Sequence, residues 1–341
     1  MRIYRKSQAD RRTKAAMTSQ MTAVTTTATT TTVQTSRRKV LGGATALVLG
    51  GVAPWRAATA REVRGGVVIE RRYVTCRYGQ LHMHIARPLN PVRQTQNPIM
   101  CFHPSPASGW YYRDLIADLG RDRIAIAVDT PGYGESDRPP EVPEMSGYSG
   151  AMADALEALE YGGDKTYAKV DLLGYHTGCL IAVDLAIGRP DLVRKLCLVA
   201  VPYYDTQAQQ QKMLNRQNRA PYTEDGTRVF EMWNNTVKRR AEGVTLEQAI
   251  KIFQERMRSG DTEWWAYESV FTYPSAERFP LVTQPMALLN PHGVLYEETL
   301  AAAKAVPSAT LIDLPQLSHG VFSVGSSIIA EETRKVLDAT G

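Results

Sequence analysis

Apolar residues along this chain fall in short blocks whose period alternates between that of a strand and that of a helix. Pro98-Ile99-Met100-Cys101-Phe102 and Ile124-Ala125-Ile126-Ala127-Val128 are unbroken apolar runs of strand length, the pattern of buried strands. Val170-Asp171-Leu172-Leu173 is a third, and it ends at Gly174 before Leu180 to Ile187, which is apolar at helical spacing. A strand, a sharp turn and a helix are predicted there. Leu196–Val201, Met286–Leu289 and Thr310–Ile312 predict three further strands. Tyr73 to Ile85 predicts a hairpin about Tyr78-Gly79-Gln80, because Leu81, Met83 and Ile85 alternate with His82 and His84. From about 203 to 279 the pattern changes to polar helical segments rich in Gln, Arg and Glu, punctuated by Trp233, Trp264, Trp265, Tyr267, Phe271 and Tyr273.

The first sixty residues have no such pattern. Residues 1–35 are threonine-rich and lack an apolar period, so they have no means of building a core. Ser36-Arg37-Arg38-Lys39-Val40-Leu41 is followed by an apolar, glycine-diluted run from Gly42 to Val52 and then by Ala58-Thr59-Ala60. This order of basic, apolar and small residues resembles a twin-arginine export signal with its cleavage site. It implies a leader over residues 1–60, the twin-arginine machinery as its partner, and a mature chain in the periplasm or outside the cell. The apolar run is far shorter than the roughly 20 residues that cross a bilayer, so no permanent membrane anchor is expected.

Removing the leader changes the charge. Ten of the forty Lys and Arg but one of the thirty-five Asp and Glu fall within it, so the net +5 of the whole chain becomes −4 for the remainder. That remainder repels phosphate on average and has no basic stripe interleaved with aromatics, so no nucleic acid partner is expected. Cys101 and Cys197 fall in predicted core strands, Cys179 follows the sharp turn and Cys76 lies in an early strand. Without a Cys-X-X-Cys pair, free buried thiols are expected despite the oxidising compartment.

Gly174-Tyr175-His176-Thr177-Gly178 occupies the predicted strand-to-helix turn. Glycines two residues either side of a central position let the backbone bend tightly, so the central side chain projects at the top of a sheet. The stretch resembles the nucleophile elbow of α/β-hydrolases, with histidine where that family has serine, cysteine or aspartate. His103-Pro104-Ser105-Pro106-Ala107-Ser108-Gly109-Trp110 resembles the family's His-Gly-X-Pro loop. Asp129-Thr130-Pro131-Gly132-Tyr133-Gly134-Glu135-Ser136 is similar to its Asp-X-Pro-Gly-X-Gly-X-Ser turn, and Leu317-Ser318-His319-Gly320 stands where it keeps its catalytic histidine. The resemblance runs in order over residues 66 to 341 and points to the capped epoxide-hydrolase, dehalogenase and haloperoxidase branch. It implies an α/β-hydrolase fold, a mostly parallel eight-stranded sheet flanked by helices, with a helical cap inserted after strand six. The core would then occupy 61–202 and 280–341, and the cap 203–279. A hydrolase of a small, partly apolar ester, lactone or related substrate is implied, without a cofactor.

The same resemblance assigns the backbone N–H groups of Ser105 and Thr177 to the oxyanion hole, His176 and His319 to catalysis, and His103, Trp110 and Tyr175 to the substrate. The acid of the triad is missing. Leu289-Asn290-Pro291-His292-Gly293-Val294 has no carboxylate after the seventh strand, Asp205 is a weak substitute after the sixth, and Glu297 and Glu298 lie on the helix that follows. Neutral imidazole, with an ordinary pKa of about 6.5, is nucleophilic without an activating base, so His176 can open an acyl-imidazole route. As a pair, His176 and His319 can divide base and acid roles, which suits water-mediated hydrolysis or a proton-transfer lyase reaction.

Other readings stand beside these. His103, His176, His292 and His319 all belong to loops at one edge of the sheet, and three imidazoles with a water resemble a catalytic zinc site. A fold that has lost nucleophile and acid can also serve as an inactive small-molecule binding protein. Titratable groups retained at His176 and His319 favour an enzyme, and the retained oxyanion loop favours hydrolysis. The cap aromatics either line an apolar pocket or pack cap on core. His82 and His84 form either a solvated edge face or a metal-chelating pair.

Overall fold

A computed structural model describes residues 61–161, 167–216 and 221–339, so the expected leader over 1–60 lies outside the described residues. Nine described strands form one sheet: β1 (Arg61–Arg64), β2 (Val67–Cys76), β3 (Gly79–Pro88), β4 (Ile99–Phe102), β5 (Ala125–Val128), β6 (Val170–Tyr175), β7 (Val193–Val199), β8 (Met286–Pro291) and β9 (Thr310–Leu314). Their order is β1-β2-β3-β5-β4-β6-β7-β8-β9. The strands from β4 onward pair in parallel, whereas β1, β2, β3 and β5 meet antiparallel. The eight expected strands are β2 to β9. The additional edge strand β1 is exposed along its whole length and has no apolar alternation by which to announce itself. The hairpin turns at Arg77-Tyr78, with Cys76 opposite Gly79, one residue earlier than expected.

The helices are α1 (Arg113–Leu119), α2 (Met145–Ala158), α3 (Thr177–Gly188), α4 (Gln207–Arg216), α5 (Thr227–Trp233), α6 (Leu246–Arg258), α7 (Trp265–Thr272), α8 (Ser275–Arg278), α9 (Tyr296–Ala305), α10 (Val321–Val324) and α11 (Ser326–Asp338). Alternation along the strands divides the core in two. Ile99, Cys101, Leu173, Val199 and Leu289 face α1 and α11, while Met100, Phe102, Leu172, Leu198 and Leu288 face α2, α3 and α9. Each fully buried aliphatic side chain contributes about 1.5–3 kcal/mol. Helix α3 is apolar on all sides and is buried from Thr177 to Ala186 accordingly. All four cysteines are free and buried. No described helix is long and apolar enough to cross a membrane.

This topology places the site. Strands β4 and β6 are neighbours, yet the chain leaves β4 towards α1 on one face and leaves β6 into α3 on the other. A crevice opens at the carboxyl ends of two strands whose connections diverge in this way. The 103–112 loop and residue 176 border it.

Helices α4 to α8, with a π-helical turn at Asn234–Lys238, lie between β7 and β8, and core and cap fall in one compact unit. Buried hydrogen bonds fasten them to the core. Tyr133 Oη accepts from Ala266 N at 3.0 Å, Ser108 Oγ donates to Glu255 Oε2 at 2.8 Å, and Ser269 Oγ donates to Pro143 O at 2.6 Å. Among the cap aromatics, Phe271 and Tyr273 are buried against the core, whereas Trp264, Trp265 and Tyr267 keep accessible surface.

His82 and His84 do not form a solvated edge face. Strand β3 lies between β2 and β5 and is not an edge, and the turn after β5 folds onto His82, which is only 2% exposed and whose Nδ1 donates to Asp129 Oδ2 at 2.9 Å.

Candidate active site

The elbow is built by two close approaches. A Cβ on Gly178 would stand 1.9 Å from the carbonyl oxygen of Phe102, and one on Gly174 would stand 2.5 Å from that of Gly178. Only glycine lets α3 start this near to β4 and to the end of β6. Between them His176 adopts φ +51° and ψ −118°, a conformation that L side chains avoid. Such strain, of order 1–3 kcal/mol, persists where the surrounding structure over-determines it. The imidazole is half-buried, tilted on the Tyr175 ring at 4.0 Å, and makes no hydrogen bond among the described residues. Burial pushes it down to about 4, so it is neutral at neutral pH.

Two backbone donors flank this ring. Ser105 N is turned towards the start of α3, donating to Thr177 Oγ1 over a long 3.4 Å. Thr177 N belongs to the first turn of α3, where N–H groups have no partner within the helix and the helix dipole favours negative charge. Both residues assigned to the oxyanion hole therefore adjoin His176. Tyr175 is 7% exposed and forms the floor of the site, stacked on Tyr111 at 6.1 Å and edge-on to Phe322 at 5.0 Å. Burial raises its phenol well above the usual range. Trp110, also expected at the substrate, borders a cleft of about 390 Å³ between the 103–112 loop and α6, with Tyr111, Gln248 and Phe322.

His103 is not a substrate residue. It is fully buried, its Nδ1 donates to Pro104 O at 2.9 Å, and its Nε2 accepts from Thr130 N at 3.0 Å, so both nitrogens serve the backbone. It holds the loop after β4 to the turn after β5. Asp129 organises that turn, accepting from Gly109 N at 2.6 Å, Glu135 N at 2.8 Å and His82. Burial alone would raise its carboxyl; these hydrogen bonds outweigh it and hold the group below the usual carboxylate range.

His319 is exposed on the loop between β9 and α10, and neither a ring contact nor a hydrogen bond joins it to His176. Among the described residues no carboxylate bonds it. Asp205 and Glu297 are exposed elsewhere, while the carboxylate next to this edge, Asp313, is bonded by His292 Nε2 at 2.9 Å. The four-histidine metal set does not assemble, because His103 faces inward and His292 is engaged by Asp313. No group of three His, Cys, Asp or Glu at metal-binding spacing occurs among the described residues. Sequence reasoning passed over Tyr133, whose ring packs edge-on at 5.9 Å from His103 and whose hydroxyl binds the cap. An aromatic inside an otherwise small-residue turn was its signal.

Solved structures share this architecture. The enol-lactonase from Burkholderia xenovorans superposes with a TM-score of 0.62 at 14% identity, covering 79% of this chain and all of that one, a likeness of fold. Among curated proteins, a putative carbamate hydrolase RutD of Rhizobium rhizogenes is 35% identical over 92 residues, which are 27% of this chain and 33% of that protein. The 2-(acetamidomethylene)succinate hydrolase of Mesorhizobium japonicum is 30% identical over 122 residues, 35% of this chain and 42% of that one. These matches span well under half the length of either relative. The alpha/beta hydrolase family model, by contrast, matches from residue 99 to residue 327, from β4 through the cap to α11, and the chain belongs to that family.

Proposed function

We propose that this protein is an exported hydrolase that cleaves small, partly apolar esters, lactones or related acyl compounds through the imidazole of His176. The observation that carries the reading is a neutral imidazole at a strained strand-to-helix turn, beside the N–H groups of Ser105 and Thr177. A ring nitrogen attacks the acyl carbon, and the two N–H groups receive the oxyanion that forms. Collapse expels the alcohol, which takes up the proton of the other ring nitrogen by way of water and leaves a neutral N-acyl imidazole. Water then adds to that acyl group, releasing the acid and restoring the imidazole with its N–H. This route needs neither a base nor a carboxylate, in keeping with a His319 that no carboxylate among the described residues bonds and that makes neither a hydrogen bond nor a ring contact with His176. The names of the relatives, a carbamate hydrolase and a succinate-derivative hydrolase, support a hydrolytic reaction.

The test is turnover of activated esters, lactones and epoxides by metal-stripped and metal-replete protein, with His176→Ala and His319→Ala beside it. We expect activity to disappear in His176→Ala, to survive in His319→Ala and to ignore chelation. A metal requirement, or turnover by His176→Ala, overturns the reading. Export is tested separately with Arg37→Lys/Arg38→Lys, which should leave unprocessed precursor in the cytoplasm; continued export would exclude the twin-arginine route.

A further inference from the structure

We propose that Glu255 of the cap is a positioning residue for the oxyanion loop, so that seating of the cap and readiness of the Ser105 N–H are one event. The inference rests on His176 being the reacting centre and deepens the reading of that same site. One face of α6 lies along the 103–112 loop. Gln248, Lys251 and Glu255 stand three and four residues apart, which puts them on successive turns of one side of the helix. Gln248 borders the cleft beside Trp110 and Tyr111, Lys251 Nζ lies over the Trp110 ring at 5.7 Å, and Glu255 Oε2 accepts from Ser108 Oγ at 2.8 Å.

Glu255 is 8% exposed, whereas Glu247 on the same helix is exposed to solvent. A carboxylate is withdrawn from water only against partners. Lys251 Nζ at 2.8 Å and Arg258 Nε at 3.9 Å balance the charge at its Oε1, which leaves Oε2 to the Ser108 hydroxyl. A hydroxyl-to-carboxylate bond of this kind is charge-assisted and stronger than one between neutral groups.

Ser108 passes the restraint on. Its Oγ accepts from Trp110 N at 3.3 Å and its carbonyl oxygen from Tyr111 N at 3.0 Å, so it starts the tight helical turn Gly109–Tyr112. The core holds the loop at two points: Thr130 N donates to His103 Nε2 at 3.0 Å, and Gly109 N donates to Asp129 Oδ1 at 2.6 Å. Between them Ser105 N makes just the long 3.4 Å bond to Thr177 Oγ1 among the described residues, so its direction is set by the path of the loop. One bond at Gly109 fixes a point on that path. A second at Ser108, from the cap side, fixes the direction in which the chain runs back to Ser105. The aim of this donor matters, because a misplacement of about 1 Å costs about a hundredfold in rate.

Two measurements on the purified protein test this. First, kcat and KM for an activated ester are compared among wild type, Glu255→Ala, Ser108→Ala, the double variant and Glu255→Gln. The oxyanion exists only in the transition state, so Glu255→Ala should lower kcat at least about tenfold and hold KM within about twofold. The double variant should be no worse than the poorer single one, and Glu255→Gln, which keeps an acceptor for Ser108, should recover most of kcat. A raised KM with kcat unchanged means that the bond merely seats the cap, and the proposal falls. Losses that add, or a Gln variant as poor as the Ala one, overturn it too. Second, amide hydrogen exchange over residues 103–112 is read by mass spectrometry. Glu255→Ala should quicken exchange there about tenfold and leave the turn over 130–136 unchanged. Equal exchange in wild type and variant overturns the proposal and leaves the hydrolase reading standing. This readout needs no turnover: if the wild type hydrolyses no ester while exchange still quickens, the reading of His176 falls and the hold of Glu255 on the loop stands.

Discussion

His176 combines a strained backbone with a titratable side chain kept uncharged by burial, two features that cluster at functional sites. Burial is the cause of its lowered pKa, with no compensating carboxylate, so the reactive neutral form persists down to about pH 4. Because deprotonation creates the nucleophile, kcat/KM should rise with pH through about 4 and stay flat from about 5 to 8. A limb centred near 6.5, the ordinary imidazole value, would mean a solvated ring or a different reacting group. Mutation gives the second check. His176→Ala should lose at least about a hundredfold in kcat, the scale on which a positioned catalytic imidazole acts. His176→Ser gives the family's usual elbow residue, yet a serine needs a base within hydrogen-bond reach, and His319 makes neither a hydrogen bond nor a ring contact with residue 176. The serine variant should therefore be no better than the alanine one against activated esters, and recovery of activity would show His319 reaching the elbow.

Among the elements, the strand–turn–helix from Val170 to Gly188 was fully legible, because two glycines and a change of apolar period each have one physical meaning there. Steric demand makes a sharp prediction. Gly178→Ala puts a Cβ on the Phe102 carbonyl, a backbone atom that cannot step aside, so α3 must move away from β4. A loss of about 2–4 kcal/mol, read as a lowered denaturation midpoint, together with loss of turnover, is expected. Other elements were less readable for equally definite reasons. Strand β1 gains its structure only from the β2 edge, since nothing in Arg61-Glu62-Val63-Arg64 favours a strand. His82 alternates with apolar residues as an outward position would, but the turn after β5 folds onto it, and Asp129, far away in sequence, supplies its partner. The positions of His103 and His319 depend on loop paths rather than on periodicity, which is why motif order located both loops and misjudged where their rings point. Tyr133 belongs to this class too. Tyr133→Phe removes three contacts between turn and cap while keeping the ring, and should raise KM more than it lowers stability; an unchanged KM would show that the Ser269 hydrogen bond and apolar contacts suffice to hold α7 in place.

On the scale of the whole molecule, the buried histidines make stability depend on pH with a calculable sign. Burial lowers His84 and His176 each to about 4 and lowers His103 as well, while the same groups in the unfolded chain titrate near 6.5. Between those values the unfolded chain binds protons that the folded chain refuses, so stability is lost as pH falls from about 6.5 towards 4. Asp171 opposes this. Burial raises it to about 6 in spite of the Arg194 pair, so the folded state holds a proton that the unfolded state has released. Near pH 5.5 the histidines outnumber it, and unfolding should take up a net one to two protons, a slope of about 1.4–2.8 kcal/mol per pH unit. Urea denaturation midpoints measured between pH 5 and 7 give that slope directly. His84→Gln removes one refused proton without touching the elbow, and should flatten the slope by about one proton while leaving the pH profile of kcat/KM unchanged. If both move together, the acid sensitivity of folding and the chemistry share a single histidine; if neither moves, His84 is as exposed to protons when folded as when unfolded.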